Sequence, residues 1–349
     1  MARAPRVLKA AVIEGAPAEP DMLDDIPPPR EANALFGHEE ETARLAAAFR
    51  SAPPQGIILT GPQGIGKATL AFRIAKALLS GAEITDRFDS DAESRDVAQV
   101  SAGTHPSLLH LTRAYDEKAK RFRTELTVDT VRRIVPFLGS SAAGNGWRVV
   151  IVDAVDDMNA NAANALLKGL EEPPRRTVFL LIAHVAGRVL PTIRSRCRMI
   201  RLRPLGLEPL KAALTHLDAD PAAADVAEGS VRRALSLSAD GADAVRSARR
   251  ILGGSLADSR RRFELADLAA QRRGENFAAV ADLTLDALSA RIRKAAGRAP
   301  LETLDLYARA YLDALAERRR VEIFNLDRKE FMLALAGRIA DADSRVRAA

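Results

Sequence analysis

The stretch "ILTGPQGIGKATLAFRIAKALL", residues 58–79, decides how the rest of the chain is interpreted. Gly61, Gly66 and Lys67 fit the spacing G-x-x-x-x-G-K, between a predicted buried strand and a predicted helix. Glycines let backbone N–H groups approach a phosphate closely, and the amino end of a helix adds partial positive charge. The lysine ammonium can meet the β and γ phosphates. The stretch therefore predicts a phosphate-binding loop that also contains Gly64, with a chance glycine-rich turn as the alternative.

The residue after Lys67 lacks the group that a working loop uses to hold magnesium. That position calls for the hydroxyl of Ser or Thr, and here it is Ala68, with Thr69 one place later. Adjacent residues on a helix point about 100° apart, so Thr69 should not simply replace the missing ligand. We expect a loop that can hold phosphates through its backbone and Lys67 but is poorly equipped to hold the metal.

A second candidate position is Asp153, which ends the apolar run "VVIV". An acidic residue at the carboxyl end of a parallel strand beside a phosphate loop is where a metal-orienting aspartate belongs. The alternative is a cap of a helix or turn. In ATPases of this architecture a glutamate follows to activate water, and here the next residue is Ala154. We interpret the nearby Asp156 and Asp157 as solvated or capping residues. The two missing groups together argue against efficient hydrolysis by this chain.

Three arginines cluster in "TIRSRCR", residues 192–198. Arginine keeps its charge at any relevant pH and presents a planar fork suited to phosphate oxygens. On a neighbouring subunit such a residue can act as an arginine finger, worth about 10³ to 10⁵ in rate. Taken alone, Arg194, Arg196 and Arg198 would more often be part of a basic surface loop.

The order of predicted elements divides the chain into four parts. Residues 1–30 are rich in Ala, Pro and acidic residues and predict a flexible tail. In residues 31–204, strands that are apolar throughout alternate with helices, which predicts a parallel sheet covered on both faces. Residues 205–241 predict a few short helices, and residues 242–349 predict longer amphipathic helices.

Between the phosphate loop and the Asp153 strand the pattern is less regular. The polar residues 80–103 predict a loop, and "PSLLHLT", residues 106–112, predicts a strand. The segment "LTVDTVRRIVPFLG", residues 126–139, predicts one helix opened by Thr127 and Asp129.

Composition narrows the class of protein further. The 349 residues are 47% hydrophobic and 28% charged, which allows two or three domains with a sizeable core. The net charge of +6 permits contact with nucleic acid and also fits an ordinary solvated surface. The single cysteine, Cys197, excludes intramolecular disulfides and a zinc site built from several cysteines. The chain carries neither a signal-peptide pattern nor an apolar run of about 18 residues, so we expect a cytoplasmic protein without a membrane partner.

Four motifs together resemble the clamp-loader subunits of bacterial DNA polymerase III, which are AAA+ proteins. They occur in the order "GPQGIGKATLA" (61–71), "NALLKGLEEPP" (164–174), "LPTIRSRC" (190–197) and "EGSVRRALSL" (228–237). The resemblance covers residues 30–240 well and implies an α/β AAA+ P-loop core over residues 31–204. It also implies a small helical lid domain over residues 205–241 and an all-α collar domain, used for oligomerisation, over residues 242–349.

Within this family the gamma and tau subunits hydrolyse ATP, whereas the delta-prime type is usually catalytically silent. Ala68 and Ala154 place this chain with the delta-prime type. The resemblance implies that Arg196 is an arginine finger reaching ATP on an adjacent gamma or tau subunit. It also implies that Arg232 occupies the second-sensor position, with Arg233 as the alternative. The degenerate nucleotide site then comprises Gly61, Gly64, Gly66, Lys67, Thr69, Asp153 and Arg232.

The same resemblance implies a function and partners. The chain is expected to assist ATP-dependent loading of the sliding clamp onto primed DNA, within the DNA polymerase III holoenzyme and without polymerising DNA itself. The implied partners are the gamma, tau and delta subunits, the sliding clamp and, through the assembled complex, primer-template DNA held by backbone charge.

Many relatives carry a four-cysteine zinc module before the Asp153 strand, and since this chain has no cysteine there we expect no zinc.

Two other functions remain as alternatives. The chain would be a self-sufficient, gamma-like clamp-loading ATPase if Thr69 held the metal and a residue such as Asp156 served as the base. An unrelated phosphate-loop kinase is the third hypothesis, and it lacks an acceptor-site motif. Because Lys67 and the loop glycines match the working pattern, ATP binding, weak if it occurs, is left open.

Overall fold

A computed structural model describes most of the chain. The described residues are 20, 23, 26–118, 120–140, 142–143, 146–238, 242–271, 276–296, 300–324 and 326–348. They form two compact units, one containing the described residues up to Ala224 together with residues 228–232, and the other containing residues 225–227 and those from Arg233 onward. Most of residues 1–30 lies outside the described residues. The division into a separate lid and collar remains a prediction.

The described residues of the first unit form seven strands and eight α-helices. The strands are β1 (Gly56–Thr60), β2 (Leu108–Leu111), β3 (Tyr115–Asp116), β4 (Arg121–Phe122), β5 (Arg148–Asp153), β6 (Thr177–Ala183) and β7 (Arg198–Arg201). The helices are α1 (Glu39–Ser51), α2 (Lys67–Ser80), α3 (Arg95–Ser101), α4 (Val128–Arg132), α5 (Ile134–Gly139), α6 (Ala160–Glu171), α7 (Pro191–Arg194) and α8 (Leu207–His216).

Five of the strands form one parallel sheet in the order β2-β5-β6-β1-β7, while β3 and β4 pair as a separate antiparallel hairpin. Successive side chains of a strand point to opposite faces. Accordingly, Ile57 and Leu59 of β1 join one buried cluster with α1 and α2, and Ile58 joins the other with α4 and α6. The prediction of a parallel sheet covered on both faces is therefore confirmed.

Two local predictions were wrong. Residues 80–103 contain helix α3. The buried residues of this helix are Val97 and Val100, and two apolar residues in a polar sequence are too few to indicate a helix. The single helix predicted over residues 126–139 is divided into α4 and α5 at Arg133. Pro136 has no N–H to donate to the carbonyl four residues earlier, so α4 ends at Arg132. The hairpin and strand β7 were not predicted, because their side chains are mostly not buried.

The described residues of the second unit form helices and no strand, as predicted. Helix α9 (Val231–Ser238) leads into it, followed by α10 (Ala242–Leu252), α11 (Ser259–Ala270), α12 (Phe277–Ala295), α13 (Leu301–Phe324) and α14 (Arg328–Ala348). Buried residues of α10 to α14 form one apolar core. Arg291 and Tyr307 both bind the carboxylate of Asp343, at 3.2 and 2.7 Å, and so connect α12 and α13 to α14.

Among the described helices, none has both the length and the apolar character needed to cross a membrane.

The segment 228–232 belongs to the first unit and reaches it through Gly229. This glycine has a φ of 79°, and a Cβ added there would lie 2.5 Å from Pro204 Cβ and 2.6 Å from the Leu205 carbonyl oxygen. Its own carbonyl accepts a 3.0 Å hydrogen bond from the Leu205 amide. Only glycine fits this close approach of two backbone segments.

We expect Gly229→Ala to lower the free energy of unfolding of the first unit by about 2 kcal/mol or more, through left-handed strain and overpacking. Urea unfolding followed by the fluorescence of Trp147, the only tryptophan of the chain, measures this directly. The control is Gly187→Ala, where an added Cβ meets nothing within 4 Å. Equal stability of the two variants would contradict the packing described here.

Candidate functional site

The predicted phosphate loop lies at the carboxyl end of β1, between β6 and β7. The Gly61 amide donates to the Ala183 carbonyl at 3.2 Å, which fixes the start of the loop against β6. Gly61, Gly64 and Gly66 have φ values of 151°, 77° and 99°, in the region that favours glycine. The chain then enters α2 at Lys67. The fold therefore requires glycine at all three predicted positions.

Lys67 is buried and bonded to the loop itself. Its Nζ donates to the carbonyls of Gly61 at 2.7 Å and Pro62 at 2.5 Å. Burial lowers the pKa of Lys67 to about 8, and the carboxylates of Asp153 and Asp156 partly offset this effect. At neutral pH the ammonium is still mostly protonated, and its charge is used to hold two carbonyls of the loop.

The remaining loop carbonyls also have partners within the first unit. The acceptors Gln63, Gly64 and Ile65 receive hydrogen bonds from Ser230 Oγ at 2.9 Å, the Val231 amide at 2.9 Å and His38 Nε2 at 2.8 Å, respectively. All five carbonyls of residues 61–65 are therefore engaged by protein groups. Such a loop is fixed in one conformation before any ligand arrives.

Residues 230–232 cover the middle of this loop. A Cβ added to Gly64 would lie 2.4 Å from Arg232 Cβ and 2.5 Å from Ser230 Oγ, so the two segments are in close contact. Arg233 instead pairs with Asp286 within the second unit. Of the two candidates for the second-sensor position, the structure brings Arg232 to the loop, and its contact with a nucleotide stays a prediction.

The metal side of the site is as incomplete in the structure as in the sequence. Ala68 is half-buried and packs against the apolar cluster on the α1–α2 face of the sheet, and Thr69 is also half-buried. Asp153 ends β5, opposite Ile182 of β6, and so lies at the same sheet edge as the loop, one strand removed from β1. Within the described residues, no group of three or more His, Cys, Asp or Glu side chains could hold a metal ion. The expectation of no zinc stays a prediction.

Asp156 has a structural role that the sequence did not reveal. It is 5% exposed, and its carboxylate accepts hydrogen bonds from the amides of His184, at 3.0 Å, and Val185, at 2.8 Å. It therefore caps the backbone that follows β6, so the interpretation as a solvated residue was wrong and that as a capping residue is confirmed. Asp157 lies 3.6 Å from Arg113.

Arg196 lies at the amino ends of the sheet strands, whereas the phosphate loop lies at their carboxyl ends. Strand β7 runs parallel to β1, with Arg198 opposite Ile57, so Arg196 precedes the amino end of the sheet. The loop begins after Thr60, and at about 3.3 Å per residue the length of β1 separates the two positions by more than about 10 Å. The structure therefore does not bring Arg196 together with Lys67.

The side chain of Arg196 has two hydrogen-bond partners. Its Nη1 donates to the Thr192 carbonyl at 3.1 Å and its Nη2 to Glu171 Oε1 at 3.0 Å. Arg194 and Arg198 are exposed, and in the described part of the chain neither pairs with a carboxylate. Within this cluster, Arg196 is thus the arginine held in place by a side chain.

Sequence reasoning missed three residues of these sites. Glu171 stands in "NALLKGLEEPP" and Ser230 in "EGSVRRALSL", so both motifs contained a signal that was not assigned to a residue. His38 carried none, because its contact with Ile65 joins residues 27 positions apart.

The sequence of the chain is similar to those of known proteins. Residues 38–206 match the family described as "DNA polymerase III, delta subunit". The chain is 43% identical over 140 residues to the DNA polymerase III subunit delta' of Pseudomonas aeruginosa, covering 40% of each chain. It is 34% identical over 189 residues to the subunit delta' of Escherichia coli, covering 52% of this chain and 53% of that one. The tau subunit of Escherichia coli is 30% identical over 190 residues, covering 52% of this chain and 28% of tau.

The family match lies within the first unit, and the chain spans about half or less of the length of the two delta' relatives named above. The chain is therefore similar to the delta' subunits of DNA polymerase III.

Proposed function

We propose that the chain is a delta-prime-type subunit of a DNA polymerase III clamp loader. It assists ATP-dependent loading of the sliding clamp onto primed DNA and supplies Arg196 as an arginine finger to a neighbouring gamma or tau subunit. Its own nucleotide site hydrolyses little or no ATP. The delta subunit, the sliding clamp and, through the complex, primer-template DNA are the further partners, and the complex works in the cytoplasm.

The observation that carries this proposal is the separation of Arg196 from the chain's own loop. A finger must touch the γ-phosphate that it stabilises. Arg196 lies at the amino edge of the sheet, and Lys67 follows the loop at the carboxyl edge. An arginine in this position can serve only a nucleotide held by another subunit. Ala68 and Ala154 support the same conclusion, because this chain lacks both the metal ligand and the base that hydrolysis would need.

The state of the loop supports weak nucleotide binding. Phosphates would need the ammonium of Lys67, which already binds the carbonyls of Gly61 and Pro62, and room beside the loop, where Ser230 and Arg232 pack. Binding would therefore exchange existing hydrogen bonds for new ones, and the net gain is small.

The gamma-like alternative is disfavoured by the position of its proposed base. Asp156 is buried and already accepts from the amides of His184 and Val185. To activate a water it would have to leave these donors unpaired, at a cost of about 1 to 3 kcal/mol. The kinase alternative gains no support from the all-helical second unit.

We expect a fluorescent ATP analogue to bind the isolated chain weakly, with an affinity that is indifferent to magnesium. The reason is that Ala68 offers no metal ligand, while Lys67 still offers charge. Lys67→Ala should abolish this binding. Tight binding that requires magnesium would contradict the proposal.

The same binding should weaken as the pH rises. The pKa of Lys67 is lowered to about 8, so its charge is largely present at pH 7 and largely lost at pH 9. If only the ammonium form binds phosphate, affinity falls by about tenfold over this interval. Titrations at pH 7, 8 and 9 measure the effect, and binding as tight at pH 9 as at pH 7 would show that Lys67 does not contact the phosphates.

Asp156→Asn should lower the free energy of unfolding by about 2 kcal/mol, because a buried carboxylate that accepts from two backbone amides is lost. The control is Asp157→Asn. The carboxylate of Asp157 lies 3.6 Å from Arg113, so its loss should have a much smaller effect. Denaturant unfolding compares the two. If the stability of Asp156→Asn is unchanged, the carboxylate is not needed for the fold and is available to act as a base. That result would favour the gamma-like alternative.

Arg196→Ala should reduce DNA-stimulated ATP hydrolysis by an assembly that contains this chain and gamma subunits. At the site that this arginine completes, the loss is expected to be about 10³-fold. Arg194→Ala, an exposed arginine of the same motif, should leave the rate near that of the unsubstituted assembly. If the Arg196→Ala assembly keeps its full rate, the proposed function is wrong.

A further inference from the structure

Two of the four sequence motifs meet at a single contact. Helix α6 ends at Glu171, within "NALLKGLEEPP", and Arg196 lies within "LPTIRSRC". Glu171 Oε1 and Arg196 Nη2 are 3.0 Å apart, although the residues are 25 positions apart in sequence. The function proposed above gives a role to Arg196 of "LPTIRSRC" and none to the acidic end of "NALLKGLEEPP".

We propose that Glu171 is a positioning residue for Arg196, which holds the guanidinium ready for the nucleotide of the neighbouring subunit. This inference rests on the proposed function of Arg196. A guanidinium has five N–H donors in a planar fork. Glu171 takes one from Nη2 and the Thr192 carbonyl takes one from Nη1, so both ends of the fork are fixed and three donors remain for phosphate oxygens.

The two sides of this contact are held by one rigid scaffold. Ile193, in the turn before Arg196, is 1% exposed and belongs to the same buried cluster as Leu166 and Leu170 of α6. The Arg196 amide donates to the Ile193 carbonyl at 3.1 Å, which fixes the backbone of the arginine. A carboxylate at the end of a packed helix therefore meets a guanidinium on a packed turn, and sites built on such elements hold their geometry best.

Positioning matters here because arginine is a long side chain. An unrestrained arginine loses much rotamer freedom when it engages a phosphate, and a side chain that is already held loses less. The carboxylate also opposes the positive charge, but both side chains are near half-exposed, at 40% and 53%, so solvent screens that effect. The exposed position limits the gain as well, and the pair is worth about two- to fivefold in rate.

The chain offers a matched control in the next residue. Glu172 carries the same charge and is also exposed, and in the described part of the chain it forms no ion pair with Arg196. A general effect of negative charge near the motif would be equal for Glu171 and Glu172. Positioning through a hydrogen bond would belong to Glu171 alone.

The test measures steady-state ATP hydrolysis by the assembly of this chain with gamma subunits, with Glu171→Gln or Glu172→Gln in this chain. Glutamine can still accept from Arg196, but its neutral amide oxygen forms a weaker hydrogen bond than a carboxylate does. We therefore expect Glu171→Gln to lower kcat about two- to fivefold with KM for ATP unchanged, since positioning acts in the transition state. Glu172→Gln should behave as the unsubstituted chain does. In an Arg196→Ala background, Glu171→Gln should have no further effect, because its action passes through the arginine.

The outcomes separate the two proposals. If Arg196→Ala lowers the rate while Glu171→Gln does not, or lowers it equally with and without Arg196, the positioning role is overturned and the proposed function stands. If Arg196→Ala itself has no effect, the proposed function fails.

A second readout uses the isolated chain and does not depend on the assembly. The ¹⁵N guanidinium signal of Arg196, identified by its loss in Arg196→Ala, should show restricted motion that Glu171→Gln releases and Glu172→Gln preserves. A signal that is equally mobile in all three chains would overturn the positioning role even if the proposed function is correct.

Discussion

Parallel pairing of β1 between β6 and β7 determines where each candidate residue can act. In a parallel sheet all carboxyl ends meet at one edge and all amino ends at the other. The loop that follows β1 and Asp153 at the end of β5 therefore share one edge. Arg196, which precedes β7, is placed at the opposite edge by the same pairing. Within one chain the loop and Arg196 cannot meet at the same nucleotide, which supports the proposal that Arg196 serves a neighbouring subunit.

At the carboxyl edge the loop has the geometry of a phosphate site and is occupied by the protein's own groups. Lys67 binds two loop carbonyls, the segment that begins after Gly229 binds two more, and His38 binds the carbonyl of Ile65. The hydroxyl that would hold a metal is replaced by Ala68, whose methyl group packs against the core. At the amino ends of the strands, by contrast, Arg196 is exposed and donates a hydrogen bond to Glu171.

The sequence predicted those features that depend on near neighbours or on strong periodicity. The continuous apolar runs of β1, β5 and β6 predicted buried parallel strands, and the glycine spacing predicted the loop between β1 and α2. What it could not predict depends on contacts between distant residues, such as Ser230 on the loop and Glu171 on Arg196. Helix α3 was missed because two buried valines do not make a pattern, and Asp156 was misjudged because its donors follow another strand.

We propose that this chain contributes an arginine and does not use its own loop for hydrolysis. The decisive measurement is steady-state ATP hydrolysis by the isolated chain, with magnesium and primed DNA. We expect a rate at background, equal to that of Lys67→Ala. Magnesium-dependent turnover that Lys67→Ala abolishes would contradict it and would make the chain a self-sufficient ATPase.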